Sequence, residues 1–205
     1  FADMKKTRGK VLSIKIMVAL ASLVVVGLLL SGPSMRKSLN NSLEEYKHPD
    51  LIVRSTYGLD YEDETLFRKE EGIDKINFIK ATDLKISDDI IRLKEYNSEI
   101  PKSVITEGKF PSKDDEIILD ENLKEKFNIG DELSFSYIND EQKDDQKMAR
   151  LKYKLVGFYK SSDHFMEDMK EISPLGKSEI AGFAYVLPNN FLSDKYHEAN
   201  IVYKD

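Results

Sequence analysis

The chain has 205 residues, a third of them charged, with 31 Lys and Arg against 37 Asp and Glu and a net charge of −6. The two signs are interspersed, so there is no concentrated basic stripe of the kind a phosphate backbone requires, and nucleic acid is excluded as a partner class. The absence of cysteine excludes a disulfide framework, a thiolate metal site, a cysteine nucleophile and a lipidated cysteine.

The chain opens on Phe1 and stops at Asp205, and it reads as a fragment of a longer protein. Its first ten residues are short and basic, with Lys5, Lys6, Arg8 and Lys10 against Asp3. From Val11 the sequence turns apolar, and Ile16 to Met35 holds no charge. As a helix rising about 1.5 Å per residue, such a run matches the roughly 30 Å hydrocarbon core of a bilayer. Lys15, one turn in, can snorkel to the headgroups. The basic excess lies on the N-terminal side, which predicts a cytoplasmic N-terminus and an outer side from about residue 35 onward. The alternative is a cleavable signal peptide. The segment LLLSGPSMRK lacks a small-x-small cleavage site, which favours a retained span.

Met35, Leu39, Leu43 and Tyr46 recur at helical spacing and predict an amphipathic stalk helix ended by Pro49. The expected organisation is therefore a cytoplasmic basic segment at 1–10, a transmembrane helix at 11–33, a stalk helix at 34–48, and an outer domain at 49–205 that is incomplete at its C-terminus.

Within the outer domain, Leu51 to Thr56 reads as a strand, with a turn at Gly58. Asp60 is placed to cap a helix from Tyr61 to Glu70 that directs Leu66 and Phe67 inward and stops at Gly72. Ile73 to Ala81 is a strand. Thr82 to Tyr96 holds two strands around a turn at Asp88-Asp89. Ile105 to Pro111 reads as a turn-rich link and Glu116 to Leu119 as a short strand. Asp120 caps a helix through about Phe127. Gly130-Asp131 turns into a strand at Glu132 to Ile138, whose partner, after the polar loop 139–146, is Arg150 to Tyr159. Strands follow at Phe183 to Leu187 and Asn200 to Tyr203, with a helical turn in 189–195. Strands and short helices mix without a βα repeat, so the predicted class is α+β with a mostly antiparallel sheet.

No phosphate-binding loop, GxSxG or HExxH occurs, so no ATP hydrolysis or hydrolase chemistry is predicted for this chain. The histidines His48, His164 and His197 are far apart in sequence. Asp163-His164-Phe165-Met166-Glu167-Asp168 places a histidine and carboxylates at metal-sharing spacing, but a solvated loop is the expected reading. Asp114, Asp115 and Glu116 lack the alternation and central glycine of a calcium loop and read as a charged turn. Phe158, Tyr159, Phe165, Phe183, Tyr185 and Phe191 are read as core, with an apolar groove for a peptide, lipid or partner as the alternative. No catalytic, cofactor or metal residue is assigned.

The order Glu107-Gly108-Lys109-Phe110-Pro111, Glu116-Ile117-Ile118-Leu119-Asp120, Leu123, Ile129-Gly130-Asp131 and Leu155-Val156-Gly157-Phe158 resembles the outer-domain pattern of FtsX-like permeases of ABC transporters, whose extracytoplasmic domain is the MacB-like periplasmic core domain. The N-terminal KKTRGKVLSIKIMVALA is similar to the first span of larger Gram-positive members. Lys109 stands where arginine is usual. The resemblance implies a non-enzymatic permease subunit in the cell membrane, with further spans beyond residue 205. It also implies a separate cytoplasmic ABC ATPase as partner, surrounding membrane lipid, and a dimer or second permease. Such a subunit couples the ATPase to export or mechanical signalling. The competing expectation is a single-span surface protein whose outer domain binds a ligand or cell-wall component. An anchored hydrolase is a weaker third reading.

Overall fold

The computed structural model describes residues 2–45, 47–96, 102–140, 142, 146–161, 172–175 and 178–204. The chain divides into two units, one ending at Glu44 and the other beginning at Glu45.

The first unit is a single helix, α1, Ala2–Glu45. It carries through Pro33, although proline has no N–H to donate to the preceding turn. Ser31 Oγ donates to the Leu28 carbonyl at 2.9 Å. Gly9–Asn41 is long and apolar enough to cross a membrane. The large apolar side chains from Val11 to Leu39 are exposed within this unit, as they are on a helix whose solvent is lipid.

The second unit is α+β. Its strands are β1 (Leu51–Leu59), β2 (Ile73–Ile79), β3 (Ala81–Ile86), β4 (Asp89–Glu95), β5 (Val104–Gly108), β6 (Glu116–Asp120), β7 (Glu132–Ser134), β8 (Ser136–Tyr137), β9 (Lys152–Lys160), β10 (Ile180–Val186) and β11 (Tyr196–Tyr203), and it includes a short helix, α2 (Tyr61–Lys69). They form two sheets. The smaller has the order β1-β11-β2. The larger runs β5-β9-β6-β10-β4-β3-β8, with β7 also paired to β9. Most neighbours are antiparallel; β6 with β9 and β10 with β4 are parallel.

The small sheet carries α2. Asp60 accepts from the backbone N–H of Glu62 and Asp63, while Asp63 accepts from the N–H of Asp60, so three otherwise orphaned donors are satisfied by the two side chains. Phe67 packs on Phe78 at 6.1 Å between ring centroids, beside Leu59 and Ala199. Leu66, expected to face inward, is 67% exposed, because only one side of so short a helix meets the sheet. Gly58 does not end the first strand. It lies within β1 at φ +84°, where the register with β11 shifts between Arg54 and Leu59.

The large sheet has two apolar faces. Leu84, Ile91, Leu93, Ile117, Leu119, Leu155, Ala184 and Val186 form the main core with Leu123, Leu133, Phe135 and Tyr153. The opposite face carries Ile118, Val156, Tyr159 and Tyr185, against Tyr96, Ile105 and Phe110. Fully burying each such Leu, Ile or Val contributes about 1.5–3 kcal/mol. Two sequence expectations change here. Glu132 to Ile138 is not one strand: β7 pairs with β9 over three residues, whereas β8 crosses to β3, because Phe135 turns into the core between them. The predicted helix after Asp120 is a single 3-10 turn, Glu121–Leu123.

Candidate functional site

The distinctive sequence stretches converge on one strand. Gly108, at the end of β5, stands opposite Gly157 of β9, and the Lys109 N–H donates to the Val156 carbonyl at 3.1 Å. A Cβ on Gly157 would lie 2.7 Å from the Glu107 carbonyl oxygen and 2.8 Å from that of Lys109. Further along the same edge of the strand, Gly130 N–H donates to the Leu155 carbonyl at 2.8 Å, and Leu155 N–H donates to the Asp131 carbonyl at 2.9 Å. β6, the EIILD stretch, runs parallel to β9. Glycine pairs, a turn and a buried strand thus clamp Leu155–Phe158 from several directions. The sequence reading that took Ile105 to Pro111 as a link missed β5. The signal was present in Gly108 and Gly157, which allow two backbones to approach where any side chain would collide.

Glu116 ties down the turn that precedes β6. Its carboxylate accepts from the Ser112 N–H at 2.7 Å, the Ser112 hydroxyl at 2.9 Å and Lys109 Nζ at 2.9 Å. The Ser112 N–H and the Lys109 ammonium hold the carboxyl down to about 2, since each donor favours the charged form. Asp114 and Asp115 contribute backbone carbonyls, to Asn190 and to the N–H of Lys154. The acidic triplet is therefore a charged turn built into the fold.

A second cluster joins the sheets. Asp83 and Arg92 stand opposite each other on β3 and β4 and form a two-point ion pair, Nε to Oδ1 at 2.6 Å and Nη2 to Oδ2 at 3.0 Å. Arg54 and Glu198 stand opposite each other on β1 and β11, 3.0 Å apart. Lys94 of β4, fully buried, reaches across to Glu198 at 3.1 Å, and its ammonium lies 5.6 Å from the centre of the Phe183 ring. Burial pushes the Glu198 carboxyl up, but Lys94 and Arg54 outweigh it and hold it well below the usual carboxylate range. Gln142 donates to the Thr82 hydroxyl at 2.8 Å and to the Asp83 carbonyl at 2.6 Å. Beside these groups lies a cavity of about 340 Å³ whose lining includes Arg54, Thr82, Arg92, Gln146 and His197.

This arrangement is charge pairing; it lacks a nucleophile activated by a base. Among the described residues no group of three or more His, Asp or Glu is placed to hold a metal. The stretch Asp163 to Asp168, with His164 and Phe165, lies outside the described residues. The remaining aromatics separate: Phe158 and Phe191 join the main core, Tyr159 and Tyr185 the opposite face, and Phe183 is half-buried beside Lys94. They form core on both faces of the sheet and do not line one groove. The seam itself escaped the sequence reading, because Arg54 and Lys94 are separated from Glu198 by most of the domain.

No family model matches the chain, and no curated protein matches it. Among solved structures, the chain is similar to three domains at low identity. The extracellular domain of the noncanonic ABC-type transporter YknZ from Gram-positive bacteria is 12% identical, with a TM-score of 0.43 over 74% of this chain and 76% of that one. The periplasmic region of MacB from Actinobacillus actinomycetemcomitans is 11% identical, with a TM-score of 0.36 over 75% and 67%. A domain of a protein described as a permease, from Porphyromonas gingivalis, is 9% identical, with a TM-score of 0.36 over 74% and 64%.

Proposed function

We propose that this chain is part of a permease subunit of an FtsX/MacB-like ABC transporter. In this reading residues 1–10 are cytoplasmic, 11–33 cross the membrane, 34–48 form a stalk and 49–205 form the outer domain. A separate ATPase works on the cytoplasmic side, and its motion reaches the outer domain through the span. The observation that carries the reading is the convergence of the EGKFP, EIILD, IGD and LVGF stretches on β9. Residues that are scattered in the sequence, and that together resemble one family's pattern, serve one structural purpose here. The continuity of α1 through Pro33 supports the coupling, since a helix without a break passes displacement along its axis.

The lack of native cysteine makes the orientation directly testable. In intact cells Lys47→Cys is expected to react with a membrane-impermeant maleimide, and Lys6→Cys only after permeabilisation; the reverse pattern overturns the orientation. For the partner, the full-length protein purified in mild detergent is expected to retain an ABC ATPase encoded beside it. A correctly oriented protein that retains no ATPase returns the chain to the alternative, a surface protein whose outer domain binds a ligand.

A further inference from the structure

We propose that the joint between the two sheets is proton-sensitive, and that His197 is the group through which acid loosens it. The inference does not rest on the transporter reading. His197 lies on β11, next to Glu198, and lines the inter-sheet cavity together with Arg54 of β1, Asp83 of β3 and Arg92 of β4. Lys80, at the β2–β3 junction, and Lys195, which leads into β11, complete its charged surroundings. Its Nδ1 is buried and has no hydrogen-bond partner among the described residues.

A neutral imidazole leaves one ring nitrogen unsatisfied there, a modest cost. An imidazolium has two N–H donors and a charge to place. Of the groups around it, Arg92, Lys195 and Lys80 oppose that charge and Asp83 favours it. Asp83 already accepts from both Nε and Nη2 of Arg92. Burial, the largest influence, holds the imidazole below its ordinary value. The protonated ring is relieved where Nδ1 reaches water, as it does when β11 shifts against β3. One charge bridge that crosses from β11 to the large sheet is Lys94–Glu198, one residue along the same strand. A shift at His197 is therefore felt at that bridge.

The sign follows from linkage. A histidine whose value is lower folded than unfolded contributes stability that is present above about pH 6.5 and is lost as the pH falls, reaching its limit below the folded value. Each unit of separation is worth a tenfold change in the opening equilibrium.

The test is amide hydrogen exchange on the full chain in nanodiscs at pH 7.5 and pH 5, corrected for intrinsic rates. Protection of Tyr196–Tyr203 and of Ala81–Ile86 is expected to fall about tenfold at pH 5, and His197→Gln is expected to remove that loss. The proposal is overturned when the wild type and His197→Gln respond alike, or when protection does not change. Imidazole NMR of the wild type gives a reading that needs no variant. A His197 ring that titrates below 6.5 in step with the loss of protection supports the proposal, and one that titrates at or above 6.5 refutes it.

Discussion

Lys94 and Glu198 meet across the boundary between the two sheets: the ammonium of β4, in the large sheet, lies 3.1 Å from the carboxylate of β11, in the small one. Both side chains are almost completely excluded from solvent, at 0% and 2%. Breaking one side of such a pair strands the other, whereas replacing both with apolar groups is far milder. Lys94→Met is expected to cost about 3–5 kcal/mol. The double variant Lys94→Met/Glu198→Leu is expected to recover most of that loss. Urea unfolding followed by tyrosine fluorescence checks both. Equal losses in the single and double variants would show that the pair contributes packing alone.

Glu116 gives a pH-dependent prediction. Its carboxyl is held at about 2, against an unfolded value of 4.5. The stability it contributes is complete above about pH 4.5 and is lost as the pH falls from 4.5 towards 2. Glu116→Gln keeps the shape but not the charge, and is expected to cost about 1–2 kcal/mol at pH 7. The variant's stability is expected to fall less steeply through that acid window than the wild type's. Parallel curves would remove Glu116 from the account.

The glycines facing each other on β5 and β9 are not equivalent to glycines elsewhere. Gly157→Ala drives a methyl group into the backbone of Glu107 and Lys109 and is expected to cost about 2–3 kcal/mol, in the range of overpacked cores. Gly72, at φ +95° with open space around it, tests strain alone: Gly72→Ala is expected to cost about 1–2 kcal/mol. Thermal unfolding of both variants decides. A Gly157→Ala protein as stable as Gly72→Ala would mean that β5 is free to retreat from β9.

At α2, Asp60→Ala removes an acceptor from two N–H groups. It is expected to cost about 1 kcal/mol and to raise amide exchange in the first turn, Tyr61–Glu64, ahead of the rest of the domain.

The sequence revealed what local spacing controls. The apolar run, the Asp60 cap, the two strands expected around Asp88-Asp89, whose turn falls one residue earlier at Ser87-Asp88, and the Leu133–Tyr153 pairing follow from periodicity and turn chemistry over short distances. Other features depended on what arrived from far along the chain. β5 has no alternation to announce it, and its pairing rests on Gly157. Phe135 divides an apparently continuous strand, because its neighbours pull to different sides of the sheet. The ion-paired seam joins positions 54, 83, 92, 94 and 198, and no window of sequence brings them together. Charged residues that look solvated in a polar sequence were the ones most completely buried.

The order of the small sheet bears on how the domain is made. β11 lies between β1 and β2 in the sheet, and Leu51, among the first residues after the helix, pairs with Ile201 of β11. A chain emerging from synthesis therefore carries its first strand unpaired until β11 has been extruded. The large sheet, by contrast, draws its strands from the interval between. The small sheet is the closing latch: chains cut before Tyr196 are expected to assemble the large sheet around β9 yet leave β1 and β2 exposed as sticky edges. Nascent domains at that stage would depend on chaperones most.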